Sequence, residues 1–252
     1  MCTNGTCGAG STLANGAAAD DAVAVVTVES RDELIQAVRA AKPGTKILLA
    51  PGTYDGGLSF KDLKGEAGKP IILGAVDPQK PPVIEGGASG LHLTDPAYVE
   101  LRDLVIAKSL ANGLNIDDGG SYDTPAHHVV LRRLVVRDIG SDANHDGLKL
   151  SGLDDFTVEE CTVERWGKRG SAIDMVGCHQ GVIRGCTIRE GDGTAANGVQ
   201  MKGGSREISI RQCRFENAGG RGVNLGGSTG LSYFRPKPQG YEAKDITVED
   251  CT

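Results

Sequence analysis

The hydrophobic pattern of this chain is dominated by one short phrase that recurs along most of its length. Each copy begins with glycine or alanine and continues with an apolar, a polar and a second apolar residue. The seven copies are GLSF from Gly57, GLHL from Gly90, GLNI from Gly113, GLKL from Gly147, AIDM from Ala172, GVQM from Gly198 and GVNL from Gly222. Alternation with a period of two is typical of a β-strand with one buried face. The phrase therefore predicts one short strand in each repeat.

A second alternating phrase runs in step with the first, and its polar residues are mostly arginine and glutamate. Its copies are VELRDLVI from Val99, VVLRRLVV from Val129, FTVEECTV from Phe156, GVIRGCTI from Gly181, ISIRQCRF from Ile208 and ITVEDCT from Ile246. They start 30, 27, 25, 27 and 38 residues apart. Strand repeats of this length indicate a solenoid. We predict an all-β fold, a right-handed, single-stranded parallel β-helix with two or three strands in each coil.

The two ends of the chain depart from the repeat. We predict a flexible N-terminal lead over residues 1–25 and one β-helix domain over residues 26–252. Ser30 followed by Glu33 matches a capping box, which predicts a helix of about ten residues that caps the first coil. The chain stops at Thr252 inside a copy of the second phrase. This predicts that the C-terminal coils are truncated and that the open end associates end to end.

Composition and charge exclude several classes of protein. The formal net charge of −6 comes with both signs mixed along the chain, which argues against a nucleic-acid-binding face. The longest apolar run, AVAVVTV from Ala22, is far shorter than the roughly 20 residues of a membrane-spanning helix. Four cysteines share one apolar position of the second phrase, which predicts a buried stack rather than a zinc site. They are Cys161, Cys186, Cys213 and Cys251.

The polar residue inside each copy of the first phrase must point away from the core. In chain order these residues are Ser59, His92, Asn115, Lys149, Asp174, Gln200 and Asn224. The next outward position carries Asp117, Ser151 and Lys202 in three of the coils. Because coils stack about 4.8 Å apart, Lys149, Asp174 and Gln200 are expected side by side. Amides, opposite charges and flanking glycines in one row predict a binding surface.

The longest loops lead into or out of this row, and loops on a rigid scaffold often carry binding residues. The candidate catalytic residues are Lys202, Lys149, Asp174, Asp146 and Arg221. The candidate substrate contacts are Asn115, His145, Trp166, Lys168, Arg169, Gln200, Asn224, Tyr233 and Arg235. This mixture of charges, amides and a few aromatic rings suits a hydrated, anionic, extended polymer.

From about Val26 onward, the predicted cap, the first strand KILLAPGTY and the coils together resemble the pectin-lyase-like right-handed β-helix superfamily. The segment NGVQMKGGSREISIRQCRFENAGGRGVNL is loosely similar to the chondroitinase-B and alginate-lyase family. That resemblance implies that Lys202 is the proton-abstracting base, with an arginine one coil further on and acidic calcium ligands nearby. Gly226 stands at the arginine position, so Arg221 is the substitute, and Asn197 stands where an acidic ligand is expected.

Cleavage of a uronate polymer by β-elimination requires neutralisation of the carboxylate, a base for the C5 proton and an acid for the leaving oxygen. Lys202 or Lys149 is a suitable base if burial or a neighbouring cation lowers its pKa. Neutralisation is expected from Ca²⁺ or from cations such as Arg221 and Lys168. The candidate calcium ligands are Asp117, Asp118, Asp146 and Asp174.

A second resemblance leads to a different reaction. NHDG from Asn144 is similar to the NTDG motif of polygalacturonases, in which this aspartate is catalytic. Inverting hydrolysis needs two carboxyl groups about 6.5–9.5 Å apart, and Asp146 and Asp174 are the expected pair. A glycoside hydrolase and a non-catalytic polysaccharide-binding surface protein therefore remain alternatives to the lyase. All three hypotheses imply an acidic polysaccharide as partner and an extracellular or periplasmic location.

Overall fold

The computed structural model describes residues 24–121, 123–140, 142–237 and 240–252. Within these ranges the chain winds through three parallel sheets, and the strands of successive coils lie in register along each sheet. The solenoid has about 7 turns, and strands make up 51% of it. The predicted right-handed parallel β-helix is therefore confirmed. The predicted N-terminal lead lies almost entirely in residues 1–23, outside the described part of the chain.

The two sequence phrases correspond to different sheets. Sheet A holds β1 (Val25–Val28), β2 (Lys46–Leu49), β5 (Ile71–Ala75), β8 (Ala97–Arg102), β11 (Ala126–Arg132), β14 (Leu153–Glu159), β17 (His179–Arg184), β20 (Ser205–Arg211) and β23 (Ala243–Glu249). Sheet B holds β3 (Thr53–Asp55), β6 (Val83–Glu85), β9 (Val105–Ala107), β12 (Val135–Arg137), β15 (Thr162–Glu164), β18 (Thr187–Gly191) and β21 (Arg214–Ala218). Sheet C holds β4 (Leu58–Lys61), β7 (Leu91–Thr94), β10 (Leu114–Asp117), β13 (Leu148–Ser151), β16 (Ser171–Val176), β19 (Asn197–Lys202) and β22 (Arg221–Leu225). The first phrase forms sheet C, whereas the second turns the corner from sheet A to sheet B.

The predicted helix is present as α1 (Arg31–Ala40). The Ser30 hydroxyl accepts a hydrogen bond from the Glu33 backbone N–H at 3.3 Å, which satisfies a donor at the start of the helix. Leu34 and Val38 are buried on the side that packs against β1 and β2. Because this structure begins at Ala24, closure of the solenoid end by α1 stays a prediction. A 3₁₀ turn at Leu231–Tyr233 lies in the last long loop. No helix in the described ranges has the length and apolar character to cross a membrane.

The corners between sheets A and B are turned by a column of residues with φ near +50 to +60°. The column is Asp103, Arg133, Glu160, Gly185, Gln212 and Asp250. Its charged members stabilise one another across coils: the Arg133 guanidinium donates to Asp103 Oδ1 at 2.6 Å. The left-handed conformation lets each strand of sheet A turn directly into sheet B without a long connection.

The interior is filled by the apolar residues of both phrases, and the cysteine stack is part of it. Cys161, Cys186 and Cys213 are buried free thiols, and Cys251 in the last coil is partly exposed. Each thiol faces a backbone carbonyl of the coil before it, as in the 3.5 Å contact from Cys161 Sγ to Leu131 O. The prediction of a core stack is confirmed. End-to-end association through the last coil stays a prediction.

Candidate active site on sheet C

A cleft of about 490 Å³ lies on the outward face of sheet C, between two loops. Lys149, Ser151, Val176 and Lys202 form its floor, on the neighbouring strands β13, β16 and β19. One wall is Asp117, Asp118 and Gly120, and the other is Ser228, Thr229, Gly230, Tyr233 and Arg235. Of the outward residues that the sequence predicted as a binding surface, Asp117, Lys149, Ser151 and Lys202 line this cleft.

Two lysines on the cleft floor share one buried carboxylate. The pairing of β13, β16 and β19 places Lys149, Asp174 and Gln200 side by side, as predicted. Asp174 is 1% exposed; its Oδ2 binds the Lys149 ammonium, and its Oδ1 lies 2.9 Å from Lys202 Nζ. Lys202 Nζ also lies 3.4 Å from Gln200 Oε1. Asp174 thus fixes both ammonium groups at the base of the cleft.

A second carboxylate, Asp146, lies beside this pair and is buried as well. Its Oδ2 is 3.4 Å from Lys149 Nζ, and its Oδ1 accepts the Ser171 backbone N–H at 2.7 Å. Burial and the negative charge of Asp174, opposed by Lys149, together raise the pKa of Asp146 to about 6. Lys149, Lys202, Asp174 and Asp146 form a charge-balanced group, which we name the lysine–aspartate cluster.

The protonation of Lys149 bears on one expectation from the sequence. Burial by itself lowers the pKa of the Lys149 ammonium, but Asp174 and Asp146 together outweigh it, and the net pKa is raised. The condition under which Lys149 would serve as the base, a pKa lowered by burial or by a neighbouring cation, is therefore not met. Lys149 is instead a fixed cation, suited to binding an anionic group rather than to removing a proton.

The loop that forms the second wall is fastened to the solenoid by Glu242. Its carboxylate accepts hydrogen bonds from the Gly203 N–H at 2.7 Å and from the Thr229 N–H and hydroxyl at 3.1 and 2.7 Å. Partial burial raises the pKa of Glu242, but these hydrogen bonds outweigh that effect and lower it. Glu242 therefore acts as an ionised anchor at the foot of the wall.

Arg235 fastens the same loop at a second point, where the backbone lies directly on two glycines. Its guanidinium donates to Gly177 O at 2.9 Å and to Asp154 Oδ2 at 2.6 Å. A Cβ on Gly177 would lie 2.7 Å from Arg235 Cβ, and one on Gly204 would lie 2.4 Å from Arg235 O. Both glycines have positive φ, so both the contact and the conformation require glycine.

Residues 89–235 match the family model described as right handed beta helix region. The chain belongs to this right-handed β-helix family. Residues 28–126 also match the model described as chondroitinase B, and the resemblance noted in the sequence is confirmed.

Two solved structures show the same fold. The chain is similar to an alginate lyase from Paenibacillus sp. str. FPU-7, at 20% identity and a TM-score of 0.69, over 91% of this chain and 76% of that one. It is also similar to the pectate lyase Pel9A, at 17% identity and a TM-score of 0.59, over 85% of this chain and 56% of that one. The chain thus spans little more than half of the pectate lyase. No curated protein matches it.

Several residues predicted from the sequence lie elsewhere in this β-helix. Trp166 is 3% exposed and packs inside the solenoid, where a Cβ on Gly191 would lie 2.5 Å from its ring. Its prediction as a substrate contact is wrong, because no ring face is open to a polymer. Lys168 lies within 3.2 Å of Asp142 and 3.4 Å of Asp192, and Arg169 donates to the Asp142 carbonyl. These two cations are not brought to the cleft.

Arg221, His145, Asn115 and Asn224 are also absent from the cleft lining. Arg221 opens β22 and donates to Asn197 Oδ1 at 3.3 Å, so it lies at the end of the strand opposite to Lys202. The structure therefore does not unite the predicted base with its predicted arginine partner. As substrate contacts, the other three stay predictions.

The predicted calcium ligands do not form a calcium site. Asp117 Oδ2 lies 2.5 Å from His92 Nε2 and accepts from Asn115, while its Oδ1 accepts from the Gly119 N–H. Asp118 accepts the Gly120 N–H and packs on Gly152. Asp146 and Asp174 are occupied by Lys149. Ca²⁺ takes about six to eight oxygen ligands, and the described ranges contain no group of three His, Cys, Asp or Glu residues that could hold a metal ion.

The carboxyl pair expected for an inverting hydrolase has the wrong geometry. Asp146 and Asp174 both contact the same Lys149 ammonium, whereas an inverting pair leaves about 6.5–9.5 Å for a sugar and a water. Both carboxylates are also nearly inaccessible, at 2% and 1% exposure.

Sequence reasoning missed Glu242, Thr229 and Asp154, which hold the second wall in place. One signal pointed to them: the last step between copies of the second phrase is 38 residues, longer than the other steps. That length indicates an insertion that must be fastened to the coil, although it does not identify the residues that fasten it.

Proposed function

We propose that this protein is a lyase that cleaves an acidic, uronate-containing polysaccharide by β-elimination in the cleft on sheet C. The observation that carries the proposal is the pair of ammonium groups, Lys149 and Lys202, held on the cleft floor by the buried carboxylate of Asp174. The likeness of the fold to an alginate lyase and a pectate lyase supports it.

Lys149 is proposed to neutralise the uronate carboxylate. Asp174 and Asp146 keep it cationic, and 21% of its side chain remains exposed to the cleft. An ammonium bound to the carboxylate withdraws charge from the sugar ring and makes the C5 proton more acidic. In the partly desolvated cleft this interaction is stronger than it would be in bulk water.

Lys202 is proposed to be the base. Its ammonium is bound to Asp174, and loss of a proton from an ion pair normally strands the buried carboxylate. The Lys149 ammonium stays on the other oxygen of Asp174, so the buried carboxylate keeps a cationic partner in the proposed step, in which Lys202 acts as the neutral amine after losing its proton to solvent. The neutral amine then takes the C5 proton, and the freed electron pair forms the C4–C5 double bond as the C4–O bond breaks.

Tyr233 is proposed to protonate the leaving oxygen, in place of Arg221. Its side chain lines the cleft and is 67% exposed at the rim, where the phenol can donate to the glycosidic oxygen. Arg221 lies at the opposite end of the strand from Lys202, too far along sheet C for this role.

The test is the rise in ultraviolet absorbance from unsaturated uronate ends on alginate, pectate, chondroitin and heparin-type polymers. Lys202→Ala is expected to lower the rate by about 10² to 10⁴, as for removal of a general base. Lys61→Ala is the matched control, because Lys61 occupies the same register row of sheet C outside the cleft. No absorbance rise on any polymer, or equal losses in the two variants, would overturn the proposal.

A non-catalytic polysaccharide-binding protein is the second candidate, because the same cations would bind an acidic polymer without cleaving it. It predicts graded losses of affinity in Lys149→Ala and Lys202→Ala and no product on any polymer. Both candidates act on a polymer found outside the cytoplasm, and we propose an extracellular or periplasmic location for either one.

A further inference from the structure

A second cavity, of about 750 Å³, adjoins the cleft at the corner where sheet C turns into sheet A. Gly120 and Arg235 line both spaces. The inner wall of the second cavity comes from three adjacent strands of sheet A, whose pairing aligns Asp154, His179 and Arg206. The remaining lining residues are Ser121, Asp123, Pro236 and Lys237. A ligand chain leaving the cleft past Arg235 therefore enters a second, larger space.

This inner wall is preformed by a buried hydrogen-bonded network. Asp154 binds His179 Nδ1 at 3.2 Å with one oxygen and the Arg235 guanidinium at 2.6 Å with the other. His179 Nε2 lies 3.1 Å from Arg235 O, and both His179 and Arg235 are less than one-tenth exposed. The ion pairs and hydrogen bonds to His179 and Arg235 lower the pKa of Asp154, although burial opposes them. The network fixes the wall before any ligand arrives.

Arg206 brings a cation to this cavity that the protein itself leaves incompletely paired. Its Nε is buried and has no hydrogen-bond partner among the described residues, and its contact with Glu207 is 3.7 Å long. The Arg235 cation, in contrast, is already bound to Asp154. Lys237 adds a further positive charge to the lining. The Arg206 side chain is 36% exposed, and a planar guanidinium is suited to a carboxylate, which it binds through two parallel hydrogen bonds.

We infer that this cavity is a second binding site for a carboxylate of the acidic polysaccharide, with Arg206 as its principal contact. The choice of ligand rests on the proposed function, since the polymer that occupies the cleft is the one that continues into the cavity. A small inorganic anion such as sulfate shares the chemistry that Arg206 recognises, so the experiment must separate the two sources.

The test is affinity electrophoresis of the full chain through native gels cast with each of the four polymers. All variants are made in a Lys202→Ala background, so that cleavage does not alter the gel. R206Q is compared with R211Q, which removes the same charge from the other end of β20, where Arg211 contacts Glu249 at 3.5 Å. R206Q is expected to weaken retention on the bound polymer about tenfold, and R211Q less than twofold. Equal retention of R206Q and R211Q would overturn the inference. So would a Lys202→Ala protein that is not retained by any of the four polymers.

A second experiment measures the affinity of the same variants for oligosaccharides of different length and for sulfate. For oligosaccharides of that polymer, R206Q should lower the affinity for long chains and leave disaccharide affinity unchanged, because a disaccharide fills only the cleft. Sulfate binding that is lost in R206Q while polymer affinity is kept would show an inorganic-anion site and contradict the inference.

Retention in the gel does not require cleavage of the polymer. Absence of unsaturated product would therefore refute the proposed lyase activity and leave the retention result intact. If R206Q fails to fold by thermal unfolding, Lys237→Gln provides the same comparison.

Discussion

The outward faces of sheet A and sheet C both carry opposite charges in register, and it is the face of sheet C that lines the candidate cleft. On sheet A, Arg132, Glu159, Arg184 and Arg211 pair across coils, and the three arginines are 39–57% exposed. On sheet C, the lysines that share Asp174 are 21% and 16% exposed. The difference lies in the loops that wall sheet C. Lower solvent exposure strengthens the interaction of these lysines with Asp174 relative to that of the charges on sheet A.

The two aspartates Asp146 and Asp138 show the same contrast in their proton affinities. Asp138 lies at a corner between sheets B and C, where a hydrogen bond from Arg165 lowers the pKa of its carboxyl. Burial on the cleft floor, together with Asp174, raises the pKa of Asp146 to about 6. One residue type is thus shifted in opposite directions by solvent access and by the sign of the nearest charge.

The largest expected effect is a difference in the loss of unfolding free energy between the variants Asp174→Ala and Glu159→Ala. Removal of Asp174 leaves two lysines partly buried without their partner, and we expect a loss of about 3 kcal/mol in the free energy of unfolding. The arginines around Glu159 are more exposed and regain water, so we expect about 1 kcal/mol or less there. Chemical denaturation of both variants measures the difference. Similar losses would show that the loops do not desolvate sheet C.

The pH dependence of stability should separate Asp146 from Asp138. The unfolded pKa is near 3.8, so between about pH 4 and 6 the folded state keeps a proton on Asp146 that the unfolded state has lost. Wild-type stability therefore falls across this window as the buried carboxyl is forced to ionise. Asp146→Asn removes that slope, and its destabilisation relative to wild type should be larger at pH 4 than at pH 7.

Asp138→Asn should show the opposite trend. A lowered folded pKa contributes stability above the unfolded pKa, and this stability is lost as pH falls through the folded value. The variant should therefore be more destabilised at pH 7 than at pH 3, by less than about 1 kcal/mol for a partly exposed pair. Thermal unfolding of both variants across pH checks the two signs, and parallel curves would contradict the comparison.

A smaller effect is expected when the second wall is loosened. Glu242→Ala removes the acceptor of three hydrogen bonds that fasten the loop over sheet C. We expect KM for the polymer to rise about tenfold, the equivalent of about 1.5 kcal/mol for hydrogen bonds to a charged group, with kcat changed less. Glu216→Ala, at an exposed pair with Arg214 on sheet B, is the matched control and should leave KM unchanged.

The smallest effect on stability and activity is expected on the outward face of sheet A. Arg184→Ala on sheet A removes an exposed partner of Glu159, and we expect less than about 1 kcal/mol of destabilisation and unchanged activity. A substantial loss of activity in this variant would mean that sheet A takes part in binding.

The fold and the register of the site were predictable because a parallel solenoid repeats its strand pattern at each coil. Seven copies of one phrase specify which residues point out, and the pairing of Lys149 with Asp174 follows from stacking them. The direction of the Lys149 pKa was not predictable. It depends on the balance between burial, which lowers the pKa, and the charges of Asp174 and Asp146, which raise it, and the degree of burial is set by the loops around sheet C.

The loops were less predictable than the strands, for a physical reason. Alternation identifies inward and outward positions only in regular strands. Trp166 lies outside a strand, so the pattern could not predict that it is buried beside Gly191. The position of Arg235 depends on its contact with Asp154, more than 80 residues away in the chain. Contacts at such separations have no local sequence signal.

The most direct test of the central claim is the mass of the products formed by the wild-type protein from the polymer it cleaves. β-Elimination adds no water, so mass spectrometry should find products whose new non-reducing ends are unsaturated uronates, lighter by one water than hydrolysis products. Products that carry an added water, or a polymer left intact, would contradict a lyase in the cleft on sheet C.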